Sequence, residues 1–96
     1  MSELGNILAM LIRLGRDKAS TETLMQQSGV SRRTVANYIK QAKGWGAVIR
    51  SEYDSERKAH FWVLDNWEEI ENRVLTWYEL ETKRDLAAPF KLELML

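Results

Sequence analysis

Arg33, Asn37 and Lys40 follow one another at i, i+4 and i+7 within SRRTVANYIKQAK, residues 31 to 43. At about 100° per residue this spacing places them on one side of a helix, flanked by Arg32, Thr34, Ala36 and Gln41. Their chemistry is that of a surface that reads duplex DNA. A guanidinium matches the acceptor edge of guanine, a carboxamide matches adenine, and an ammonium suits phosphate. The same residues also suit a solvated face that meets only water. Which reading holds depends on the elements that carry them.

Those elements are legible from Ser20 to Lys43. Ser20 or Thr21 caps a first short helix whose buried side is Leu24 and Met25. Gly29 sits just past it, where a left-handed backbone costs glycine nothing. Val30 is the apolar turn residue, and Ser31 supplies a hydroxyl to cap the next helix. Val35, Ile39 and Ala42 then form an apolar stripe at i, i+4 and i+7, opposite the basic and amide face. Helix, glycine turn and second helix in this order resemble a helix-turn-helix, in which the second helix lies in a major groove.

After Gly44-Trp45-Gly46 the pattern changes. Residues 47 to 53 (AVIRSEY) and 60 to 64 (HFWVL) are strand candidates around the polar stretch Asp54 to Ala59, which predicts a hairpin with Arg57 and Lys58 near its tip. Residues 4 to 64 as a whole resemble the winged helix-turn-helix family of DNA-binding domains. The resemblance implies a mainly α fold with a small β-hairpin wing, and a wing tip that touches phosphate or the minor groove. It also places a short third strand at Lys18-Ala19-Ser20. Asp54 and Glu56 bring the local charge of the wing close to neutral, so a backbone-touching wing with weak base reading is expected.

The 96 residues suit one small domain. Residues 1 to 64 form the expected DNA-binding part, and 65 to 96 an added helix and tail of the same domain. There is no cysteine and no apolar run long enough for a membrane span. The start Met1-Ser2-Glu3 is unlike a secretory signal, and a cytoplasmic, nucleoid-associated protein is expected. The formal net charge of zero conceals an asymmetry. Residues 1 to 43 hold seven Lys/Arg against three acids, 44 to 64 balance at three against three, and 65 to 96 hold four against eight. A basic half beside an acidic half orients a protein on a polyanion. The modest excess of +4 nonetheless predicts few phosphate contacts per chain, so two copies on one site are expected.

Asn66 and Glu69 predict a capped helix start, with the helix running to about Leu86 and closing on Lys83-Arg84. Trp67, Ile70, Val74, Trp77 and Tyr78 supply more apolar surface than one small domain requires, with Leu75 and Leu80 on neighbouring faces. Part of it can cover Leu8, Leu11 and Ile12 of the first helix, and the surplus suits a homodimer interface. After Pro89, Phe90, Leu92 and Leu94 alternate with polar or flexible residues at a period of two, a strand-like tail assigned to the same interface.

Catalytic chemistry finds little support. His60 is the sole histidine and is expected to be a partly buried structural residue. No nucleophile–base set and no metal-ligand spacing is present, so no enzyme, metal or cofactor is expected. Neither a membrane nor a small-molecule effector is expected as a partner. The resemblance implies a small transcriptional regulator that binds double-stranded DNA, of a kind typical of bacteria and phages, and the modest charge and surplus apolar surface add a homodimer. A replication or partition factor, or a winged domain used for protein contact, are the alternatives.

Overall fold

The computed structural model describes the backbone of residues 2–94 and the side chains of residues 2–83. Its elements are α1 (Glu3–Arg16), α2 (Thr21–Ser28), α3 (Arg32–Gly44), β1 (Ile49–Asp54), β2 (Ala59–Leu64) and α4 (Trp67–Leu94). Three helices, an antiparallel hairpin and a long final helix make the α+β architecture of a winged helix.

Local chemistry sets the helix ends. Ser2 Oγ accepts from Gly5 N at 3.0 Å, Ser20 Oγ from Thr23 N at 3.1 Å and Ser31 Oγ from Thr34 N at 3.2 Å. Each satisfies one of the amides that a helix start leaves unpaired. Gly29 closes α2 at φ 65°, ψ 31°, and its N–H and that of Val30 both donate to the Met25 carbonyl. This is the left-handed turn that lets α3 leave α2 steeply.

One buried cluster joins the elements. Ile7, Leu8, Leu11 and Leu14 of α1 meet Leu24, the α3 stripe Val35, Ile39 and Ala42, the hairpin root Ile49 and Leu64, and Ile70 and Val74 of α4. Burial of each Leu, Ile or Val side chain among them contributes about 1.5–3 kcal/mol. The Trp67 indole lies against Gly15 so closely that a Cβ there would stand 2.5 Å from the ring. Gly15 therefore sets how near the start of α4 comes to the end of α1.

The hairpin pairs Ile49 with Leu64 through Asp54 with Ala59. The expected third strand is a single bridge, in which Ala19 and Trp62 exchange both backbone hydrogen bonds, at 2.8 and 3.1 Å. Trp62 Nε1 also donates to Thr21 Oγ1 at 3.0 Å, which ties the wing to the start of α2.

The structure departs from the sequence reading at three points. Asn66 does not close a capping box with its side-chain oxygen. Oδ1 accepts from Val48 N at 2.8 Å, and Nδ2 donates to the Gly46 carbonyl at 2.8 Å. Two backbone groups at the wing root take this amide's oxygen and one N–H, while Nδ2 also donates to Glu69 Oε2 at 3.3 Å, so the side chains of the expected Asn66–Glu69 pair meet each other. His60 is exposed, tilted against Tyr53 with ring centroids 5.0 Å apart, because strand alternation carries this pair outward past the end of the core. Finally, α4 does not end near Leu86, and the residues after Pro89 are not a strand: the backbone is helical to Leu94. An alternating segment needs a neighbouring strand to satisfy its backbone, and none lies beside it among the described residues. A helix pairs its own backbone, even with Pro89 unable to donate.

Candidate nucleic-acid interface

The amphipathic pattern of α3 positions the site. With Val35, Tyr38, Ile39 and Ala42 buried, Arg33, Asn37 and Lys40 are turned to the exposed side. Together with Thr34 and Ala36 they line one open depression along the helix. Among the described residues, the Arg33, Asn37 and Lys40 side chains make no hydrogen bond or ion pair within the chain. Thr34 is half-buried and shares a 3.0 Å contact with the capping hydroxyl of Ser31.

Two of the expected contributors are drawn away. The Arg32 guanidinium pairs with the Glu22 carboxylate of α2, and that hydrogen bond holds Glu22 below its ordinary carboxylate range. Gln41 Nε2 donates to Glu3 Oε1 at 2.9 Å, facing α1. Neither lines the depression. The helix brings Arg33, Thr34, Asn37 and Lys40 together and leaves Arg32 and Gln41 at its margins.

The wing is built around Asp54. Its Oδ1 accepts from the backbone N–H groups of Glu56 at 2.9 Å and Arg57 at 3.1 Å, so the carboxylate closes the turn. Those hydrogen bonds, the Arg57 amide foremost, hold the Asp54 carboxyl below its usual range. Lys58 completes the turn with φ 52°. Lys18 Nζ reaches Glu52 at 3.3 Å and Asp54 at 3.4 Å, and stands 5.2 Å from the Phe61 ring centroid. Arg50 donates to Glu52 and to Asp65, each at 2.9 Å. The hydrogen bond from Arg50, then that from Lys18, keeps the Glu52 carboxyl low, and the bond to Glu52 is the main influence raising Lys18.

Of the two acids counted against a DNA-facing wing, Asp54 is thus occupied in the wing's own framework, whereas the exposed Glu56 carboxylate has no described partner. At the tip Arg57 and Lys58 are exposed. Arg57 leans over Phe61 at 5.5 Å, with its Nε 3.9 Å from Asp54. The Lys58 side chain has no described partner.

The expected interface residues of α4 divide. Ile70 and Val74 are 4% and 3% exposed within the chain's own core, and Trp67 and Tyr78 pack against it. Trp77 is 39% exposed and meets the half-buried Trp45 edge-on at 6.3 Å. Arg73 stacks over Trp77 at 5.6 Å and donates to the Trp45 carbonyl at 3.0 Å. Leu4 and Leu80 continue this apolar surface, which ends at the buried Glu81, the acceptor of a 2.8 Å hydrogen bond from Ser2 Oγ. Residue type and period had marked Trp77, but not its junction with Trp45 and Leu4. The side chains of Phe90, Leu92 and Leu94 lie outside the described residues.

Among the described residues, no helix is long and apolar enough to cross a membrane. No curated protein and no solved structure matches the chain. A family model described as an HTH domain matches residues 4–53, from α1 through α3 to the end of the first wing strand. That match spans more than half of the 96 residues, and the chain therefore belongs to the helix-turn-helix domain family, which implies DNA as its partner.

Proposed function

We propose that this domain binds double-stranded DNA in a sequence-dependent way and regulates transcription as a homodimer. The observation that carries the reading is the outer face of α3. Arg33, Asn37 and Lys40 stand exposed and unpaired along one depression of the helix that follows the Gly29 turn. Their neighbours Arg32 and Gln41 are engaged by carboxylates, whereas these three are left available to a partner. In this reading Arg33 and Asn37 address base edges, Lys40 and Lys43 address phosphate, and Arg57 and Lys58 carry the wing tip along the backbone.

Few cations are then offered per chain, and a single copy competes poorly with bulk DNA. A second copy would double the contacts and present two α3 helices to half-sites roughly 34 Å apart. The surface of Leu4, Trp45, Trp77 and Leu80 is the apolar area that α4 leaves over after covering α1, and it is assigned to that contact. The test is a duplex-binding titration over a salt series, followed by selection of preferred sequences from random duplexes. Equal affinity for all duplexes would remove the sequence-dependent reading, and no affinity at low salt would remove DNA binding altogether. Sedimentation at micromolar concentration tests the dimer.

A further inference from the structure

Half of the described cations are engaged within the chain itself. Lys18, Arg32, Arg50, Arg57 and Lys83 all have carboxylate partners, and Arg73 is held by Trp45 and Trp77. Apart from those on α3 and at the wing tip, Arg13 and Arg16 are the described cations with neither a carboxylate nor an aromatic partner. They lie one turn apart on α1, on a side that neither α3 nor the wing lines.

These two arginines form one wall of a cavity of about 200 Å³ at the junction of α1, α2 and α4. Ala9 and Ile12 supply apolar lining, Gln27 of α2 and Tyr78 of α4 the remaining walls. Gln27 is anchored there by a 3.4 Å bond from its Nε2 to the Ala9 carbonyl. Arg13 donates one N–H to the Asp17 carbonyl at 2.8 Å, which fixes its direction and leaves other donors available. Arg16 has no described partner, and the Tyr78 hydroxyl has none either.

We infer that this junction is a binding site for a small organic or inorganic anion, a carboxylate or phosphate of a few heavy atoms. Two guanidiniums on one side match the paired oxygens of such a group, and a charge-assisted hydrogen bond is among the stronger polar contacts available. The volume sets the size class, being below the roughly 300–1,000 Å³ of pockets for drug-sized ligands. A DNA backbone phosphate shares the chemistry but is the poorer occupant, because the site is concave and walled by Tyr78 of the added helix. An anion held there would bridge the helix-turn-helix body to α4, the helix that carries Trp77.

The experiment is a nuclear magnetic resonance titration of the full chain with inorganic phosphate, acetate and succinate in turn, with Arg13→Gln/Arg16→Gln and Tyr78→Phe as variants. The expected result is saturable shifts confined to Arg13, Arg16, Gln27 and Tyr78 with at least one of the three probes. Affinity should fall about tenfold or more in the double variant, and less in Tyr78→Phe. Both variants should keep the parent's circular dichroism and melting temperature. Shifts that never saturate, or that spread over all basic residues, overturn the site. So does a double variant that binds the probes as the parent does. If the probes do not bind and the double variant instead loses duplex affinity with a salt slope lower by about two, the arginines are DNA-backbone contacts and the proposal is overturned.

Discussion

The outer face of α3 and the wing carry similar side chains and use them in opposite ways. On α3, Arg33, Asn37 and Lys40 stand without partners. On the wing, Arg50, Glu52, Asp54 and the incoming Lys18 are joined in one chain of ion pairs, so most charge is spent on holding the hairpin's shape. One region keeps its chemistry for a partner, whereas the other uses it for rigidity and leaves little beyond Lys58 for contact. Counts of charge along the sequence give each region's balance but not its pairing: Arg32 of the basic helix is engaged by Glu22, and Lys58 of the near-neutral wing has no described partner.

The comparison breaks most completely if the wing is cut from its support. Asn66→Ala leaves the Val48 N–H and the Gly46 carbonyl without their partner at the wing root, with a loss of about 2–3 kcal/mol expected. For a chain of this size that is a fall in Tm of roughly 10–20 °C, measurable by circular dichroism. If Asn66→Ala melts like the parent, the wing root is held by something other than this amide.

The next largest effects belong to α3. Arg33→Ala and Asn37→Ala should each lower discrimination between preferred and random duplexes by about 1–3 kcal/mol, while Lys40→Ala weakens all sequences alike. Arg32→Ala should cost less, because its guanidinium is engaged with Glu22. Competition binding with a selected duplex ranks the four. Equal losses for Arg32 and Arg33 would mean that the pairing contrast has no functional weight.

That contrast marks where the sequence was legible. The caps Ser20 and Ser31, the Gly29 turn and the Val35/Ile39/Ala42 stripe are local, and each can be read from a few consecutive residues. The choice of partner across the fold is not local. Gln41 reaches Glu3, 38 positions away, and Asn66 reaches Val48, 18 positions away, as well as Glu69 in its own helix. Periodicity on α4 identifies an apolar face and allows part of it to cover α1, where Ile70 and Val74 are indeed buried; it does not tell which residues are left over. The alternation after Pro89 had the period of a strand, but a strand requires a neighbour that nothing in the sequence supplies.

A smaller effect sharpens the view of the wing tip. Lys58→Ala should reduce the slope of log K against log salt by about one unit. Arg57→Ala should reduce it by less, since Arg57 leans on Phe61 and lies near Asp54. Sequence preference should survive both changes, as backbone contacts position without specifying. A full unit lost at each residue would show that Arg57 leaves its place on the wing to reach the duplex.

Acid separates the two regions most cleanly, though with the gentlest effect. Glu52 and Asp54 are held below their ordinary values of 4.5 and 3.8 by the hydrogen bonds they accept. A carboxyl lowered in the folded state stabilises the fold above its ordinary value, and that contribution fades as pH falls through the lowered one. Lys18 is raised, so its share is complete below its ordinary 10.5 and is lost only as pH rises past the folded value. Between about pH 5 and pH 3 the wing framework should therefore loosen from its acidic side, while α3, whose sequence holds no carboxylate, has no such group to lose. Hydrogen exchange at the Ala19 and Trp62 amides, which bridge the wing to the linker before α2, should quicken over this range relative to amides inside α3, after correction for the intrinsic rate. Replacing Glu52 with Gln should abolish part of that pH dependence without altering exchange in α3. Parallel loosening of both regions would mean that the wing's ion pairs report on global stability instead of holding the hairpin in place.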